Sequence, residues 1–423
     1  MVNMHYLVLL HQQENKKRVR AEVKFPLILI HTPFGLDFFD KVAATKVARA
    51  YAKFNIYLMP IITALAICLI AMSLIATFSN AAARAGERNL GPQSNLLIPG
   101  LNPYLPWTYG WIALVVTIII HEAGHGIVAR VYNVKVESTG LLLILGFPIG
   151  AFVNIAQEEL SRTPLKQKSA ILTAGPLNNM IIALVSLFAL YFIASSLTPI
   201  PTHNIPQYGV VVIGVGDQSL AGSIGLSKGA IVETVAGQKV HNTDDLLKTL
   251  KSNLGNTVRI MWQDESGHQI TRSVTLPESV QANHGVLGIT ITNGVPDPVQ
   301  VLNKYKDAFT FHSNPILLLF PPTIVQEVVP YSDLMAPKYH SNTLGPAFPI
   351  VANMIFWLMF FNFNVGIFNA LPIGPLDGGQ FYNSLIERKM NSKKKKLKNA
   401  SLVVTLVMTA VVIMSVFVPW LMR

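Results

Sequence analysis

The stretch Trp111-Ile-Ala-Leu-Val-Val-Thr-Ile-Ile-Ile-His121-Glu122-Ala-Gly-His125 is an apolar run that ends in the pattern His-Glu-x-x-His. On an α-helix, residues four apart share a face, so His121 and His125 can present their imidazoles to one metal ion. Neutral imidazole is a good zinc ligand, and Glu122 is placed to take a proton from a water beside the metal. Because the preceding residues are apolar on every face, the helix is expected to be buried in lipid or protein. The stretch predicts a zinc hydrolase whose active site lies within a membrane.

The composition of the chain is that of an integral membrane protein. Of its 423 residues, 51% are hydrophobic and 13% are charged, whereas soluble chains carry about 25% charged residues. The formal net charge of +11 is interpreted as basic cytoplasmic loops that face anionic headgroups, so the expected partner is the lipid bilayer and not nucleic acid. Cys68 is the single cysteine, which excludes an intrachain disulfide.

Five apolar stretches are long enough to cross a hydrocarbon core of about 30 Å. They cover residues 56–78, 109–132, 169–197, 348–368 and 400–421. Lys and Arg are concentrated in the flanks 41–53, 130–168 and 388–398, whereas the loop 79–109 and the tail after Leu421 are poor in them. The positive-inside rule therefore predicts a multi-pass protein whose N-terminus is cytoplasmic and whose longest insert is extracytoplasmic.

The chain divides into membrane parts and water-soluble parts. Residues 1–54 are predicted to form a cytoplasmic region that ends in a basic amphipathic helix. Residues 55–197 and 346–423 are predicted to form the two parts of one membrane domain. Between them, residues 205–294 contain short alternating strands and one clear helix, and residues 295–345 form a Pro-rich linker or interfacial segment. The predicted fold is an α-helical polytopic membrane protein with about five transmembrane helices and an inserted α+β domain.

Residues 140–155 are apolar but too short, and too rich in Gly and Pro, to cross a membrane. One interpretation is a loop packed on the helix bundle. The other is a re-entrant hairpin beside the active site, which is tolerated where protein surrounds the backbone. A strand edge exposed there would be able to pair with an unfolded substrate segment.

The third zinc ligand must come from elsewhere, because catalytic zinc sites use three protein ligands and leave one position open. Asp377 is the only acidic residue in the stretch 345–385, and it follows two prolines that break the fourth span. The two glycines after it would leave space for a metal or a substrate. Asp377 is therefore the candidate ligand, with a helix N-cap as the alternative role.

These motifs together resemble the site-2 protease family of intramembrane zinc metalloproteases. The resemblance rests on the His121–His125 pattern, on Gly175-Pro-Leu-Asn-Asn179 in the helix 169–197, and on Asn369-Ala-Leu-Pro372 followed by Leu376-Asp377-Gly378. Gly150-Ala-Phe-Val153 is similar to the family's segment after the motif helix. The similarity covers about 110–197 and 346–390, which corresponds to a three-helix catalytic core.

The resemblance implies a cofactor and a role for each matching residue. The cofactor is Zn²⁺, with His121, His125 and Asp377 as its ligands and Glu122 as the general base. Residues implied in substrate binding or in orienting the site are Asn179, Asn369, Gly150 and Phe152. For Asn178 and Asn179, simple hydrogen bonding between helices is the alternative.

The insert at 205–294 resembles a PDZ domain in the circularly permuted prokaryotic arrangement. The similarity lies in Gly209-Val-Val-Val-Ile-Gly-Val215, in Ala221-Gly-Ser-Ile-Gly225 and in the loop around Gly288. PDZ domains bind extended chains by strand addition. The resemblance implies a peptide groove at Leu287, Gly288 and Ile289, and its prokaryotic form favours a cell membrane.

The predicted function is that of an intramembrane zinc endopeptidase that cleaves transmembrane segments of membrane proteins, as in regulated intramembrane proteolysis. Its expected partners are transmembrane protein substrates and the lipid bilayer; the sequence specifies neither the natural substrate nor the oligomeric state. The alternative is a non-catalytic membrane scaffold, or a zinc carrier, that presents a peptide-binding PDZ domain. Ionisable residues are concentrated at two places in the spans and form no path across several, which favours a closed catalytic site.

Overall fold

The computed structural model describes residues 19–144, 147–200, 209–216, 219–264, 266–279, 285–293, 297–389 and 394–422. The chain forms two compact units. The first contains the residues up to Ala189 and from Met354 onward, and the second is Leu190–Asn353. Each unit has its own hydrophobic core.

The first unit begins with a β-hairpin and two amphipathic helices. Strand β1, Arg20–Lys24, pairs antiparallel with β2, Leu27–Thr32. Helices α1, Leu36–Ala43, and α2, Lys46–Phe54, follow. The single amphipathic helix predicted here is therefore two, because the Thr45 hydroxyl accepts a backbone N–H and starts α2 as a separate helix.

Helix α3, Met59–Ser79, is the first of five helices in the described residues that are long and apolar enough to cross a membrane. The short helix α4, Ala81–Leu90, and a 3₁₀ turn at Pro92–Asn95 lead to α5, Trp107–Val131. Helix α5 is the second candidate span and carries the His-Glu-x-x-His pattern.

Residues 140–155 belong to a pair of strands, β3 at Val136–Ile144 and β4 at Phe147–Ile155. They join the N-terminal hairpin in an antiparallel sheet of order β1-β2-β3-β4. The described residues of this segment form two paired strands; that the segment is re-entrant in a membrane stays a prediction. Strand β4 is at the edge of the sheet and packs along α5.

After the short helix α6, Gln157–Arg162, the chain forms the third candidate span, α7, at Leu165–Ser195. Small and branched side chains pack α2, α5, α7 and the sheet into one core, whose members include Ala52, Val128, Val136, Ile155 and Ala174. The small residues allow these helix backbones to approach closely, which brings polar groups of different helices within hydrogen-bonding distance.

The second unit contains the insert between the third and fourth spans. Its strands and helices are β5 Leu197–Pro199, β6 Val210–Val215, α8 Leu220–Ser223, β7 Ile231–Val235, β8 Gln238–Lys239, α9 Thr243–Ser252, β9 Thr257–Gln263, β10 Gln269–Thr275 and β11 Ile289–Asn293. The main sheet has the order β10-β9-β7-β6-β11, with β8 paired to β7. Its core includes the fully buried Trp262.

The segment after this sheet is folded. Helix α10, Pro298–Phe309, is followed by 3₁₀ turns and by strand β12, Tyr339–Ser341, which pairs with β5. The 3₁₀ turns are Pro315–Leu319, Gln326–Val328, Ala336–Lys338 and Gly345–Ala347. Two buried hydroxyls, of Tyr305 and Tyr331, are 2.8 Å apart and hold the segment together.

The fourth candidate span is α11, Phe348–Asn369, and the fifth is the apolar part of α13, Lys394–Leu421. The short helix α12, Asp377–Lys389, lies between them. As predicted, five helices of the described residues are long and apolar enough to cross a membrane, and a β-sheet region is present in the predicted insert.

Candidate metal centre

His121 and His125 lie one turn apart on α5 and are both buried. Their rings meet edge to face with centroids 4.9 Å apart, and their Nε2 atoms are 3.2 Å apart. The helical spacing therefore does what the sequence pattern predicts: it directs two nitrogen donors at one point inside the protein.

Asp377 is the first residue of α12 and reaches the same point from the other part of the chain. Its Oδ2 lies 3.0 Å from His121 Nε2 and 3.3 Å from His125 Nε2. Burial by itself would raise the pKa of Asp377, but the charge of His125 and hydrogen bonds from both imidazoles lower it below its ordinary value. The carboxylate is therefore held in the ionised form that a metal requires.

The turn before Asp377 is tight and is supported by two neighbouring helices. Thr63 of α3 donates to the Ala370 carbonyl (2.7 Å), and Thr405 of α13 accepts from the Gly374 N–H (3.0 Å). A Cβ at Gly378 would lie 2.2 Å from the Ala370 oxygen. The space predicted for a metal or substrate at this glycine is therefore occupied by the backbone of the turn itself.

The three donor atoms fit a zinc ion. A tetrahedral zinc with bonds of about 2.0–2.1 Å separates its ligand atoms by about 3.3 Å. The distances among the Nε2 atoms and Oδ2 are 3.0, 3.2 and 3.3 Å. Two imidazoles and one carboxylate form a donor set of catalytic zinc sites, and three donors leave one tetrahedral position for water or substrate.

Helix α7 orients both imidazoles through their other nitrogens. His125 Nδ1 donates to the Ile171 carbonyl (2.7 Å), which leaves Nε2 free for a metal. His121 Nδ1 is 3.1 Å from Asn179 Nδ2, while Asn179 Oδ1 is buried without a partner among the described residues. Turning this carboxamide by half a rotation would let Oδ1 accept from His121 Nδ1–H, which is the tautomer that zinc binding through Nε2 requires.

Glu122 lines the same cavity as the donor residues and is held by the edge of the sheet. Its Oε2 accepts the Val153 N–H of β4 at 2.9 Å. Both residues line a cavity of about 440 Å³ that also contains the three candidate ligands. The Glu122 carboxylate, the candidate metal ligands and the edge of β4 therefore border the same cavity.

The three other residues predicted to bind substrate lie in two places. Gly150 and Asn369 line the cavity, and Asn369 Nδ2 also donates to the Val365 carbonyl. The Phe152 ring does not line that cavity; it packs across β3 against His31, with centroids 4.9 Å apart. Side chains on a strand alternate between its two faces, and Phe152 lies on the face opposite to its neighbours.

The residues predicted for a peptide groove are in the second unit. Leu287 is buried in its core, Gly288 has a φ of 70°, and Ile289 begins the edge strand β11. The Gly288 carbonyl accepts from the Gly216 N–H (2.9 Å), so this loop is fixed against the end of β6.

Sequence reasoning missed the role of Gly175. A Cβ there would lie 2.3 Å from His125 Nε2 and 2.7 Å from His121 Nε2. Only glycine lets α7 approach the two imidazoles this closely. A glycine inside a predicted apolar helix was the available signal, because such a residue usually marks close packing.

Comparison with known proteins identifies the family of this chain. The sequence profile of peptidase family M50 matches residues 109–413. An uncharacterized protein of Methanocaldococcus jannaschii is 28% identical over 294 residues, which cover 69% of this chain and 60% of the relative. A putative zinc metalloprotease of Clostridium perfringens is 24% identical, over 66% of this chain and 87% of the relative. The zinc metalloprotease RasP of Bacillus licheniformis is 25% identical, over 52% of this chain and 51% of the relative.

Three donors fit zinc, and two of them lie on a helix long enough to cross a membrane. Together with relatives named as zinc metalloproteases, they define one class, the site-2 type zinc proteases. The family match extends over most of the chain, from α5 into α13, so the chain belongs to peptidase family M50. Zn²⁺ is its cofactor.

Proposed function

We propose that this protein is an intramembrane endopeptidase that cleaves transmembrane segments of other membrane proteins, with His121, His125 and Asp377 as the zinc ligands. One observation carries the proposal: the three candidate ligands and Glu122 line one cavity, and both histidines lie on a candidate membrane span. A carrier or scaffold would not need a carboxylate held next to the metal position. Glu122 is held there by the Val153 N–H, which favours catalysis.

Zinc bound at this site supplies Lewis acidity, which makes water acidic near neutral pH and polarises a carbonyl. Glu122 accepts the proton of the attacking water as the new C–O bond forms at the peptide carbonyl carbon. The C–N bond then breaks, and Glu122 passes the same proton to the leaving amine. The Val153 N–H keeps the carboxylate in place through both transfers.

The edge of β4 that lines the cavity is the proposed binding site for the substrate backbone. Gly150, Val153 and Ile155 of this strand line the cavity, and the Val153 N–H points out of the sheet toward Glu122. An extended substrate can add to such an edge as a further strand. A helical segment has its own backbone hydrogen bonds satisfied, so the substrate must unwind near the cut, and helix-breaking residues there should favour cleavage.

The proposal is tested by incubating purified protein in lipid nanodiscs with a synthetic transmembrane peptide that contains a central Gly-Pro pair. Mass spectrometry should find a cut inside the apolar segment; a chelator should prevent the cut and added Zn²⁺ restore it. A second peptide, N-methylated on alternate residues near the cut, should be cleaved more slowly, because the β4 edge needs backbone donors. Cuts that lie only in the polar flanks, or that persist in chelator, would contradict the proposal.

We further propose that the insert 205–294, which is part of the second unit, is an extracytoplasmic PDZ domain that filters substrates. The edge strand β11 follows the turn at Gly288, and α9 packs beside β11, which together leave a strand edge for peptide addition. Its position outside the cell membrane follows from the distribution of Lys and Arg along the loops. A domain there would exclude substrates that still carry large outer domains.

A further inference from the structure

Helix α2, which precedes the first span, has one face buried against the helices of the metal centre. Ala48 and Ala52 on this face are buried, and Ala52 packs in the core that contains Val128 and Ala129 of α5. The Tyr132 hydroxyl donates to the Ala52 carbonyl at 2.8 Å. Helix α2 is thus fixed to α5 just beyond its metal-binding turns.

A chain of hydrogen bonds runs from α2 through α7 to α5. The Tyr51 hydroxyl donates to Asn178 Oδ1 at 2.8 Å and lies 3.3 Å from the Ala174 carbonyl. Asn178 Nδ2 in turn donates to the Ile120 carbonyl at 3.2 Å. Ile120 directly precedes His121, so the chain ends at the turn that carries both a candidate ligand and the candidate base.

The same turn is fixed at its other end by close packing. A Cβ at Gly124 would lie 2.6 Å from the Ala174 oxygen and 2.7 Å from Asn178 Nδ2. The turn Ile120–Gly124 is therefore held by a hydrogen bond at its start and by backbone contact at its end. Tyr51 contacts both of the α7 groups involved.

We propose that Tyr51 is a positioning residue for the zinc site, which acts through Asn178 to fix the orientation of His121 and Glu122. This inference rests on the assignment of these residues to the metal centre. The hydroxyl remains a donor at all physiological pH values, since burial raises the pKa of Tyr51 above its ordinary value of 10.0. Asn178 links the two helices because its Oδ1 accepts from Tyr51 and its Nδ2 donates to the Ile120 carbonyl.

The test is the visible spectrum and the metal affinity of the Co²⁺-substituted protein, neither of which depends on having a substrate. Tyr51→Phe removes only the hydroxyl and should weaken Co²⁺ binding by about 3- to 10-fold, less than the roughly 10–100-fold loss from residues that contact a ligand directly. It should also change the intensity of the d–d bands, while the melting temperature stays near that of the wild type. Tyr57→Phe, on the exposed turn after α2, is the matched control and should leave both unchanged.

A double-mutant cycle separates positioning from general stability. If Tyr51 acts through Asn178, Asn178→Leu alone and together with Tyr51→Phe should give nearly the same Co²⁺ affinity. Strictly additive losses, or a Tyr51→Phe protein with the wild-type spectrum and affinity, would overturn the proposal. A protein that binds no Co²⁺ even as wild type would refute the metal centre itself, so the two failures are distinguishable.

Discussion

Replacing Glu122 with Gln should lower the rate of peptide cleavage by about 10²–10⁴-fold while zinc stays bound, because a carboxamide cannot accept the proton of the attacking water. The substitution is nearly isosteric. Its Oε1 can still accept the Val153 N–H that Glu122 Oε2 accepts at 2.9 Å. The strand edge and the metal centre should therefore keep their places, and only the proton transfer is lost.

The measurement is single-turnover cleavage of the transmembrane peptide together with zinc analysis of the same preparation. Glu158→Gln is the control, since that glutamate is exposed on α6 and pairs with Arg162; its cleavage rate should equal that of the wild type. Normal cleavage by Glu122→Gln would remove Glu122 from the mechanism. Loss of zinc from that variant would instead give it a structural role.

Gly175→Ala should abolish zinc binding, although it adds a single methyl group. That carbon would lie 2.3 Å from His125 Nε2 and 2.7 Å from His121 Nε2, where it would occupy the space of the metal or force the imidazoles apart. General unfolding is not the expected cause, because alanine is favoured over glycine inside a helix by about 1 kcal/mol. Cleavage should be lost together with the metal.

Zinc stoichiometry and the melting temperature, measured on the same samples, check this prediction. Gly86→Ala is the matched control: it also lies within a helix, and a Cβ there would meet no atom within 4 Å. The control should keep its zinc and melt at or slightly above the wild-type temperature. A Gly175→Ala protein with full zinc content would show that α7 does not contact the imidazoles as closely as described.

The candidate ligands were predictable because each depends on a local pattern. His121 and His125 are one helical turn apart, and helical geometry alone directs them to one side. Asp377 could be selected because it is a lone carboxylate in a long apolar stretch, where an ionisable group is costly and therefore usually functional. The five spans were predictable for a similar reason, since lipid imposes a minimum length on every apolar helix.

The parts that were missed depend on contacts between distant segments. Strand β2 pairs Leu27 with Ile144, and no local pattern specifies a partner so far along the chain. The expected substrate contact at Phe152 is not supported by the described cavity, because strand register, and not residue type, decides which face a side chain occupies. Gly175 and the link from Tyr51 to Asn178 became visible only once α2, α5 and α7 were packed together.

The central claim is that His121 and Asp377, 256 positions apart in the chain, hold one zinc ion. Its most direct test is zinc analysis of purified wild-type and Asp377→Asn proteins dialysed against a buffered zinc concentration. The wild type should retain about one zinc per chain. Asp377→Asn replaces a charged ligand oxygen with a neutral one and should bind zinc more than about 100-fold more weakly, so its stoichiometry should fall close to background. An Asp377→Asn protein with wild-type zinc stoichiometry and affinity would contradict the assignment of Asp377 as the third ligand and the metal centre described here.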